Sequence, residues 1–327
     1  MEKFKVVITD HAYDNLEEET RILHGIGAGI HAYQYREPAD ILRVAHDCDG
    51  LIVHNAKLPK AVIDGLTKCR VIARYSNGSD GTDIEAATGR GIVVANVRDY
   101  CNEEVALHCL ALMLDLSRRL TGFDRRAHRE GWYDWYKARP QIGQFRDAIV
   151  GVVGFGRIAR LFVRLVGPLC RAVWVYSRYA SAEDIASAGC VKKEFGQLVR
   201  GSDFISVHVP LDASTKGLFD GEVFSRMKRT AQIVNVARGG VLNERDLIRA
   251  LQTGEIAGAA LDVMEKEPPD IDNPLFQMDN VIITPHVGWY SDASQRILQR
   301  TTAENVAAVL TGKTPKFCVN SLPPAAD

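Results

Sequence analysis

The chain has 327 residues, of which 46% are hydrophobic and 25% charged, and its formal net charge is -1 at pH 7. This length allows two domains, each with its own core. The near-zero charge argues against nucleic acid or an anionic membrane as the main partner, and no apolar run approaches the length that spans a bilayer. The seven cysteines are scattered without a Cys-x-x-Cys pair, and the sequence opens on a strand-like run. We therefore predict a cytoplasmic protein with reduced thiols and without a membrane anchor.

The first hundred residues alternate short apolar runs with helical patterns. The apolar runs predict strands at residues 4–9, 50–53, 71–75 and 92–95, with helices between them, for example at 38–46 and 83–88. A longer helix is predicted from residue 102 to residue 119, with a wide apolar face. This alternation is typical of a parallel α/β fold.

A second alternating series begins near residue 149. Its predicted strands are residues 149–153, 172–176, 204–208, 232–236, 258–261 and 281–283, and a last helix is predicted near 292–310. The first of these strands runs into a glycine-rich fingerprint, Val150-Gly151-Val152-Val153-Gly154-Phe155-Gly156-Arg157-Ile158-Ala159. Six such strands with the fingerprint after the first predict a doubly wound dinucleotide-binding sheet.

Three small residues of the fingerprint have distinct roles in a dinucleotide site. Gly154 permits the tight turn from strand to helix, Gly156 lets the backbone approach a pyrophosphate, and Ala159 occupies the position of close helix packing. The pyrophosphate is expected at the start of the helix, at Arg157 and Ile158. The Arg157 side chain either adds a phosphate contact or is simply solvated.

The end of the next predicted strand indicates which cofactor is preferred. In an NAD site, an Asp or Glu there accepts hydrogen bonds from the adenosine ribose. Here the strand ends at Tyr176 and is followed by Ser177 and Arg178. A hydroxyl beside a guanidinium can bind a 2'-phosphate, so the sequence predicts NADP as the cofactor, with NAD possible. The alternative is that Arg178 only stacks on adenine.

Three residues that can bind a carboxylate or take part in proton transfer follow the fingerprint in order. Arg238 lies in Val-Asn-Val-Ala-Arg-Gly-Gly, Glu267 precedes Pro268, and His286 lies in Thr-Pro-His-Val-Gly. A guanidinium can hold a carboxylate with two hydrogen bonds, an imidazole can pass a proton, and a carboxylate can stabilise the charged imidazole. Apart from His208 and His286, the other seven histidines show no metal-ligand spacing, so no metal site is predicted.

The order and spacing of these segments resemble the D-isomer-specific 2-hydroxyacid dehydrogenase family over nearly the whole chain. Residues 285–291, Pro-His-Val-Gly-Trp-Tyr-Ser, are most similar to its C-terminal-binding-protein-like branch. The resemblance implies two doubly wound, Rossmann-like α/β domains with parallel sheets. The dinucleotide-binding domain, residues 101–291, is then inserted into a discontinuous substrate-binding (lid) domain made of residues 1–100 and 292–327.

The resemblance also implies roles for the three catalytic candidates. Arg238 would bind the carboxylate and the carbonyl oxygen of a 2-oxo acid, and His286 would give a proton to that oxygen. Glu267 would stabilise the protonated imidazole. Glu265 lies close enough in sequence to be a rival, but the family pattern selects the acid immediately before Pro268.

Further positions match the parts of the family that surround cofactor and substrate. Asp262 would bind the nicotinamide carboxamide, although an acid that only caps a turn at a strand end is the alternative. His208, Pro210 and Ala237 would flank the cofactor.

Substrate contacts are implied at three further residues. The backbone amides of Asn77 and Gly78 would bind the substrate carboxylate. Trp289 follows His286 closely enough in sequence to line the same cleft, and the alternative is that it packs in a subunit or domain interface.

The resemblance implies reduction of a 2-oxo acid to a D-2-hydroxy acid by hydride transfer from NAD(P)H, with NADPH favoured. The partners expected are thus a small-molecule oxo or hydroxy acid and a second copy of the chain, because the family suggests a homodimer in contact through the helix that starts near residue 102. The alternative is a nucleotide-sensing, corepressor-like interaction protein on the same scaffold. Turnover of any 2-oxo acid would distinguish the two.

Overall fold

The computed structural model describes residues 2–132 and 142–322. These residues fall into two compact units: unit 1 comprises those within Met1–Cys101 and Ser291–Asp327, and unit 2 those within Asn102–Tyr290. Each unit contains one β-sheet in which every neighbouring pair of strands runs parallel.

Unit 1 is built on a five-stranded sheet with the strand order β2-β1-β3-β4-β5. This order is one of the two common doubly wound arrangements. The strands are β1 (Phe4–Ile8), β2 (Ala28–Ala32), β3 (Gly50–Val53), β4 (Val71–Arg74) and β5 (Val93–Ala95). The helices are α1 (Glu17–His24), α2 (Pro38–Ala45), α3 (Lys60–Asp64), α4 (Ile84–Gly89) and α12 (Asp292–Leu310).

Burial explains why the central strands β3 and β4 of unit 1 are apolar up to Arg74, the last residue of β4. Every residue of β3 and β4 is buried, as expected for a parallel sheet covered on both faces. The last helix is tied to this sheet through polar contacts: Asn305 donates its side-chain amide to the Asn96 carbonyl at 3.0 Å, and Arg70 donates to the Leu310 carbonyl at 3.1 Å. The C-terminal segment therefore completes unit 1.

Unit 2 is built on a seven-stranded sheet with the strand order β12-β11-β10-β9-β6-β7-β8. Its strands are β6 (Ile149–Val153), β7 (Ala172–Tyr176), β8 (Val191–Lys192), β9 (Phe204–Val207), β10 (Gln232–Asn235), β11 (Gly258–Leu261) and β12 (Val281–Ile283). Its helices are α5 (Asn102–Arg118), α6 (Leu120–Glu130), α7 (Arg157–Val166), α8 (Ala182–Ser187), α9 (Phe195–Gly201), α10 (Gly221–Arg226) and α11 (Glu244–Gln252). The chain order reverses between β6 and β9, which is the switch point where doubly wound folds bind ligands.

The predicted fold class is confirmed, because both sheets are parallel and both strand orders are Rossmann-like. Two strands escaped the sequence prediction. β2, with the sequence Ala-Gly-Ile-His-Ala, is an edge strand whose glycine and histidine interrupt the apolar run, and β8 has only two residues. Short or interrupted edge strands carry a weak sequence signal.

The apolar face of α5 is largely used within unit 2. The buried residues of α5 are Val105, Ala106, Cys109, Leu112, Met113 and Leu116, and the helix packs on α7, β10 and β11. Burial within unit 2 therefore accounts for most of the apolar face that the sequence analysis assigned to a subunit contact. Leu107, on the same helix, is 55% exposed. Among the described residues, no helix combines the length and the apolar character needed to cross a membrane.

Candidate active site

Three loops that follow adjacent strands of unit 2 carry the catalytic candidates. Arg238 follows β10, Glu267 lies in the loop after β11, and His286 follows β12. Since these three strands are parallel neighbours, their carboxyl ends lie at one edge of the sheet. The fold therefore gathers residues that are up to 48 positions apart in sequence.

His286 and Glu267 form a direct pair in which His286 Nδ1 lies 2.7 Å from Glu267 Oε2. His286 has φ = 54°, the left-handed region that residues other than glycine rarely adopt. Its backbone amide donates to the carbonyls of Asp262 at 2.8 Å and Thr284 at 2.9 Å. The histidine is thus held in an uncommon conformation by contacts on both its backbone and its ring.

The surroundings of Glu267 keep its carboxyl group ionised. Burial alone would raise its pKa, but the hydrogen bond and charge of His286, the Met264 amide and the charge of Arg238 together lower that pKa. The Met264 amide donates to Oε1 at 3.0 Å. A carboxylate only accepts hydrogen bonds, so Nδ1 of His286 carries a proton and Nε2 is the nitrogen left for a substrate. The rival Glu265 instead accepts a bond from the Glu244 amide at 3.2 Å.

The loop that carries Arg238 is fixed by a buried amide side chain. Asn235 donates from Nδ2 to the Arg238 carbonyl at 2.9 Å and accepts at Oδ1 from the Ala237 amide at 3.0 Å. Arg238 itself donates from Nη1 to the Ala237 carbonyl at 2.8 Å. Sequence analysis did not single out Asn235, because its role depends on the turn that it closes.

Gly239 allows this loop to lie directly against the loop of Glu267. A Cβ atom on Gly239 would lie 1.9 Å from both the carbonyl carbon and the carbonyl oxygen of Met264. Neither backbone segment could accommodate such a contact without shifting. The missing side chain is therefore what lets Arg238 and Glu267 share one edge of the sheet.

Asp262, the predicted nicotinamide contact, is 3% exposed. Its carboxylate accepts hydrogen bonds from the Thr284 hydroxyl at 2.6 Å, the Val287 amide at 2.9 Å and the Gly288 amide at 2.9 Å. These bonds connect the end of β11 to the loop that follows His286. The structure thus places Asp262 beneath this loop, and its cofactor contact stays a prediction.

A cavity of about 430 Å³ lies at the other half of the same sheet edge, beside β6, β7 and β9. Six residues predicted to bind cofactor line it: Gly154, Gly156, Ser177, Arg178, His208 and Pro210. Arg157 and Ile158 form the first turn of α7, and Ala237 lies in the Arg238 loop. The nine cofactor candidates other than Asp262 therefore lie at the ends of β6, β7, β9 and β10.

The glycine-rich turn fits a dinucleotide. Gly154 has φ = 99°, and a Cβ there would lie 2.6 Å from the His208 carbonyl oxygen, so only glycine suits this position. Gly156 precedes the first residue of α7, and a Cβ there would have no protein atom within 4 Å. Open space at the start of a ten-residue helix is where amide groups and the helix dipole favour a pyrophosphate.

Ser177 and Arg178 have defined partners at the wall of this cavity. The Ser177 hydroxyl accepts from the Tyr179 amide at 3.3 Å and the Ala180 amide at 3.1 Å. Arg178 donates from Nη2 to the Ser214 carbonyl at 3.0 Å and from Nη1 to the Ser214 hydroxyl. Arg178 therefore links the end of β7 to the loop after β9, a contact that sequence analysis did not find.

Arg160 and Asp184 are two further charged residues of the cavity that sequence analysis missed. They form a two-point ion pair, and the Arg160 guanidinium lies 4.2 Å from the centre of the Phe155 ring. This pair holds α7 and α8 together beside the glycine-rich turn. The fingerprint does not reveal it, because the spacing of 24 residues matches no local pattern.

His208 is enclosed among neutral groups. Its Nε2 lies 2.7 Å from the Ser206 hydroxyl, which in turn lies 2.9 Å from the Cys109 thiol. Burial lowers the pKa of His208 to about 4. The ring is therefore neutral at pH 7, as a part of the cavity wall that does not carry charge.

The predicted substrate contacts of unit 1 lie in the loop after β4. The Asn77 carbonyl accepts a bond from the Asn96 side chain at 2.6 Å, and the Gly78 carbonyl accepts from the Ser76 hydroxyl at 2.6 Å. Both carbonyls are thus engaged within the protein. In unit 2, the Trp289 ring packs edge-on against Tyr290, with 5.6 Å between the ring centres.

The chain is similar to known proteins in sequence and in structure. Residues 110–288 match the family model described as "D-isomer specific 2-hydroxyacid dehydrogenase, NAD binding domain", which is more than half of the chain. The chain belongs to the D-isomer specific 2-hydroxyacid dehydrogenase family. Among family relatives, it is 32% identical to a glyoxylate reductase of Korarchaeum cryptofilum over 282 residues, which are 86% of this chain and 85% of that protein.

Two other similarities extend over nearly all of this family member. It is 34% identical to the D-3-phosphoglycerate dehydrogenase of Methanocaldococcus jannaschii over 97% of this chain and 59% of that protein. The chain spans about half the length of the D-3-phosphoglycerate dehydrogenases that it matches. The crystal structure of the TT0316 protein of Thermus thermophilus superposes with a TM-score of 0.87 at 28% identity, covering 97% of this chain and all of that one.

Proposed function

We propose that the protein reduces a 2-oxo acid to a D-2-hydroxy acid with a nicotinamide cofactor, and that it prefers NADPH. The observation that supports this function most strongly is the 2.7 Å pair between His286 and Glu267 at the sheet edge that also carries Arg238. Reduction of a ketone needs a proton at the carbonyl oxygen, and a histidine paired with an ionised acid is a suitable donor.

The proton follows a short route in this proposal. When bound, the cofactor supplies the hydride that reaches the carbonyl carbon. His286 gives the proton on Nε2 to the carbonyl oxygen, and Glu267 stabilises the imidazolium before the transfer. The reverse reaction uses the same pair, with neutral His286 accepting the proton of the hydroxyl group.

Arg238 is suited to orient the oxo acid. Its guanidinium can donate to the carboxylate and the carbonyl oxygen at once, which fixes the carbonyl carbon relative to the hydride donor. In unit 1, the backbone amides of Asn77 and Gly78 stay predicted contacts of a substrate carboxylate. Under this proposal unit 2 is the dinucleotide-binding domain and unit 1 the lid.

The preference for NADPH rests on the cavity beside β7. The position after Tyr176 holds a serine where an NAD site has an acid, and Arg178 is fixed next to it by Ser214. A guanidinium held in place loses little conformational freedom when it binds a phosphate. The Arg160 guanidinium also lines this cavity, where it is paired with Asp184.

The proposal also concerns the size of the group on the 2-carbon of the substrate. Two relatives of this chain are named for glyoxylate and for 3-phosphoglycerate, compounds that differ in the group attached to the 2-carbon. Trp289 follows His286 by three residues and could form an apolar wall for a substituent larger than the hydrogen of glyoxylate. We therefore propose a 2-oxo acid with an apolar or extended side chain.

A spectrophotometric screen tests the function. Purified protein is mixed with glyoxylate, pyruvate, hydroxypyruvate and longer 2-oxo acids, each with NADPH and with NADH, and oxidation of the cofactor is followed at 340 nm. We expect turnover with NADPH and a higher kcat/KM for a longer oxo acid than for glyoxylate. Absence of turnover with every oxo acid would favour the nucleotide-sensing alternative.

Two further parts of the proposal concern the state of the protein. A homodimer is supported by Leu107, Leu120 and Trp132 in and beside α5 and α6, which are 55%, 59% and fully exposed. Light scattering at micromolar concentration would contradict it if the mass equals that of one chain. The seven cysteines are all free thiols, which supports a reducing, cytoplasmic location.

A further inference from the structure

His108 lies in the first half of α5 and reaches the loop that carries His286. Its Nε2 is 2.9 Å from the Thr284 hydroxyl and 3.3 Å from Asp262 Oδ1. Its side chain is only 22% exposed. His108 has no role in the proposed function, although it contacts Thr284 and Asp262, which lie beside the proposed proton donor.

The direction of the hydrogen bonds in this group follows from the ionised carboxylate. Burial would raise the pKa of Asp262, but bonds from His108, Thr284 and the amides of Gly288 and Val287 lower it. A carboxylate accepts only, so the Thr284 hydroxyl donates its single proton to Asp262 at 2.6 Å. Thr284 must then accept from His108, and His108 Nε2 carries a proton.

Asp262 also accepts hydrogen bonds from the backbone amides of residues 286–288. Oδ1 accepts from the Val287 amide and Oδ2 from the Gly288 amide, both at 2.9 Å, while the Asp262 carbonyl accepts from the His286 amide at 2.8 Å. Three successive amides, from His286 to Gly288, are therefore bound by one residue. Such a set of bonds can hold a residue in the left-handed conformation that it would otherwise leave.

His108 also packs against this loop. A Cβ on Gly288 would lie 2.9 Å from Asp262 Oδ2 and 3.2 Å from His108 Cδ2. The loop therefore lies against both the carboxylate and the imidazole, and a movement of His108 would be transmitted to it by contact as well as through hydrogen bonds.

We infer that His108, Thr284 and Asp262 form a positioning network that holds His286 in its left-handed conformation, with its ring directed at Glu267. His108 acts through Asp262 and Thr284 and does not itself touch the reacting atoms. The inference rests on the proposed function in one respect only, which is that His286 carries the proton. That the loop conformation depends on the network is a separate statement and can be measured without turnover.

Two pairs of variants test the network. Thr284→Val keeps the shape of threonine but loses the hydroxyl group, whereas Thr284→Ser keeps the hydroxyl. His108→Leu loses the N–H donor, whereas His108→Gln keeps one on a side chain of similar reach. Thr302→Val is the matched control, because Thr302 is buried in α12 of unit 1 and donates to the Leu298 carbonyl at 2.8 Å.

The first measurement is hydrogen–deuterium exchange of the peptide that covers residues 284–290. In Thr284→Val and His108→Leu, the Asp262 carboxylate loses a contact that holds it in place. We therefore expect the amides of Val287 and Gly288, which donate to this carboxylate, to exchange about 10-fold faster. Thr284→Ser and His108→Gln should restore slow exchange, and Thr302→Val should not affect it. Unchanged exchange in Thr284→Val and His108→Leu would overturn the network, whatever the activity.

The second measurement separates positioning from cofactor binding. We expect kcat for oxo-acid reduction to fall about 10- to 100-fold in Thr284→Val and His108→Leu, because small displacements of a catalytic group are costly. The Kd for NADPH, measured by its fluorescence, should change less than about 3-fold, and the conservative variants should regain kcat. Faster exchange with unchanged kcat would overturn the positioning role, and a loss of NADPH affinity equal to the loss of kcat would assign the network to the cofactor. If the wild-type protein reduces no oxo acid, the proposed function fails, while the exchange data still decide whether the network holds the loop.

Discussion

Two histidines follow strands of the same sheet, yet their surroundings give them opposite properties. His208 follows β9, bonds to a serine hydroxyl, and is held neutral because burial lowers its pKa to about 4. His286 follows β12, bonds to the Glu267 carboxylate, and has a side chain that is 46% exposed. The position at the end of a strand is common to both. An ionised partner and an exposed ring suit His286 to the proton transfer that we propose.

The same contrast separates two groups of loops at the carboxyl ends of the strands in unit 2. Around His286, the loops after β10, β11 and β12 hold the groups suited to proton transfer and oxo-acid binding. Around His208, the loops after β6, β7 and β9 line the cavity that we propose binds the cofactor. Substitutions in the first region should change kcat and the KM for oxo acid, whereas those in the second should change cofactor choice or stability. Five predictions test this division, from the largest expected effect to the smallest.

Replacing His286 should have the largest effect. His286→Ala removes the proton donor, and we expect kcat for reduction to fall by about 10³-fold, within the usual range for loss of a general acid. The Kd for NADPH should stay within a few-fold of wild type, because the cavity beside His208 is unaltered. Stopped-flow rates and fluorescence titration measure the two quantities. A loss of kcat below about 10-fold would mean that another group supplies the proton.

Arg238→Lys keeps the positive charge but loses the fork that can bind two oxygens. We expect kcat/KM for the oxo acid to fall about 100-fold, since lysine cannot reproduce the two parallel hydrogen bonds. The KM for NADPH should change little, as measured by varying each substrate in turn. If the KM for NADPH rises instead, Arg238 belongs to the cofactor region.

Ser177→Asp should change cofactor choice without impairing proton transfer. An acid at this position repels a 2'-phosphate, so we expect the ratio of kcat/KM for NADPH to that for NADH to fall about 10- to 100-fold. Ser181→Asp is the control, because Ser181 caps α8 and does not line the cavity. A wild-type protein that uses NADH equally well would contradict the predicted preference from the outset.

Glu267→Gln should move the pH profile. In the proposed reaction the proton comes from His286, whose ring bonds to the ionised Glu267 carboxylate. A neutral glutamine amide cannot stabilise a positive charge on that ring, and we expect the basic limb of kcat to move to lower pH by about one unit. Glu265→Gln is the control and should leave the profile in place, since Glu265 contacts the start of α11. An unshifted limb in Glu267→Gln would remove the acid from the mechanism.

His208→Gln should have the smallest effect on rate, with kcat within a few-fold of wild type. Its effect should instead appear in stability at acid pH. Because the unfolded histidine binds a proton near pH 6.5 and folded His208 only near pH 4, wild-type stability falls as pH drops through this window. The loss between pH 7 and pH 5 should be smaller in His208→Gln by about 2 kcal/mol, as measured by urea unfolding. Equal losses in both proteins would mean that His208 is protonated when folded.

Apolar strands were the most predictable part of the fold. The bounds predicted at residues 149–153, 172–176, 258–261 and 281–283 are the bounds observed. β6 and β11 lie inside the sheet and are almost entirely buried, which requires a continuous apolar run. β7 and the edge strand β12 are only partly buried, but they also have apolar sequences. The edge strand β2 has no such requirement, and its sequence therefore does not distinguish it from a loop.

The contacts that support the site could not be read from the sequence. His108 and Thr284 are 176 residues apart, and Arg178 and Ser214 are 36 residues apart. Each pair is created by strand order and loop conformation, which no local pattern encodes. The candidates Arg238, Glu267 and His286 were found because their sequence contexts are characteristic, whereas the residues that hold them have ordinary contexts.

Gly239 shows how a purely structural requirement could be misinterpreted in a mutational survey. Its missing side chain lets two backbone segments touch, with a Cβ expected only 1.9 Å from the Met264 carbonyl group. In a screen scored by activity alone, every substitution at this position would resemble the loss of a chemical group, although glycine offers none. Libraries built to alter substrate range should therefore keep position 239 constant and vary side chains that face the ligand.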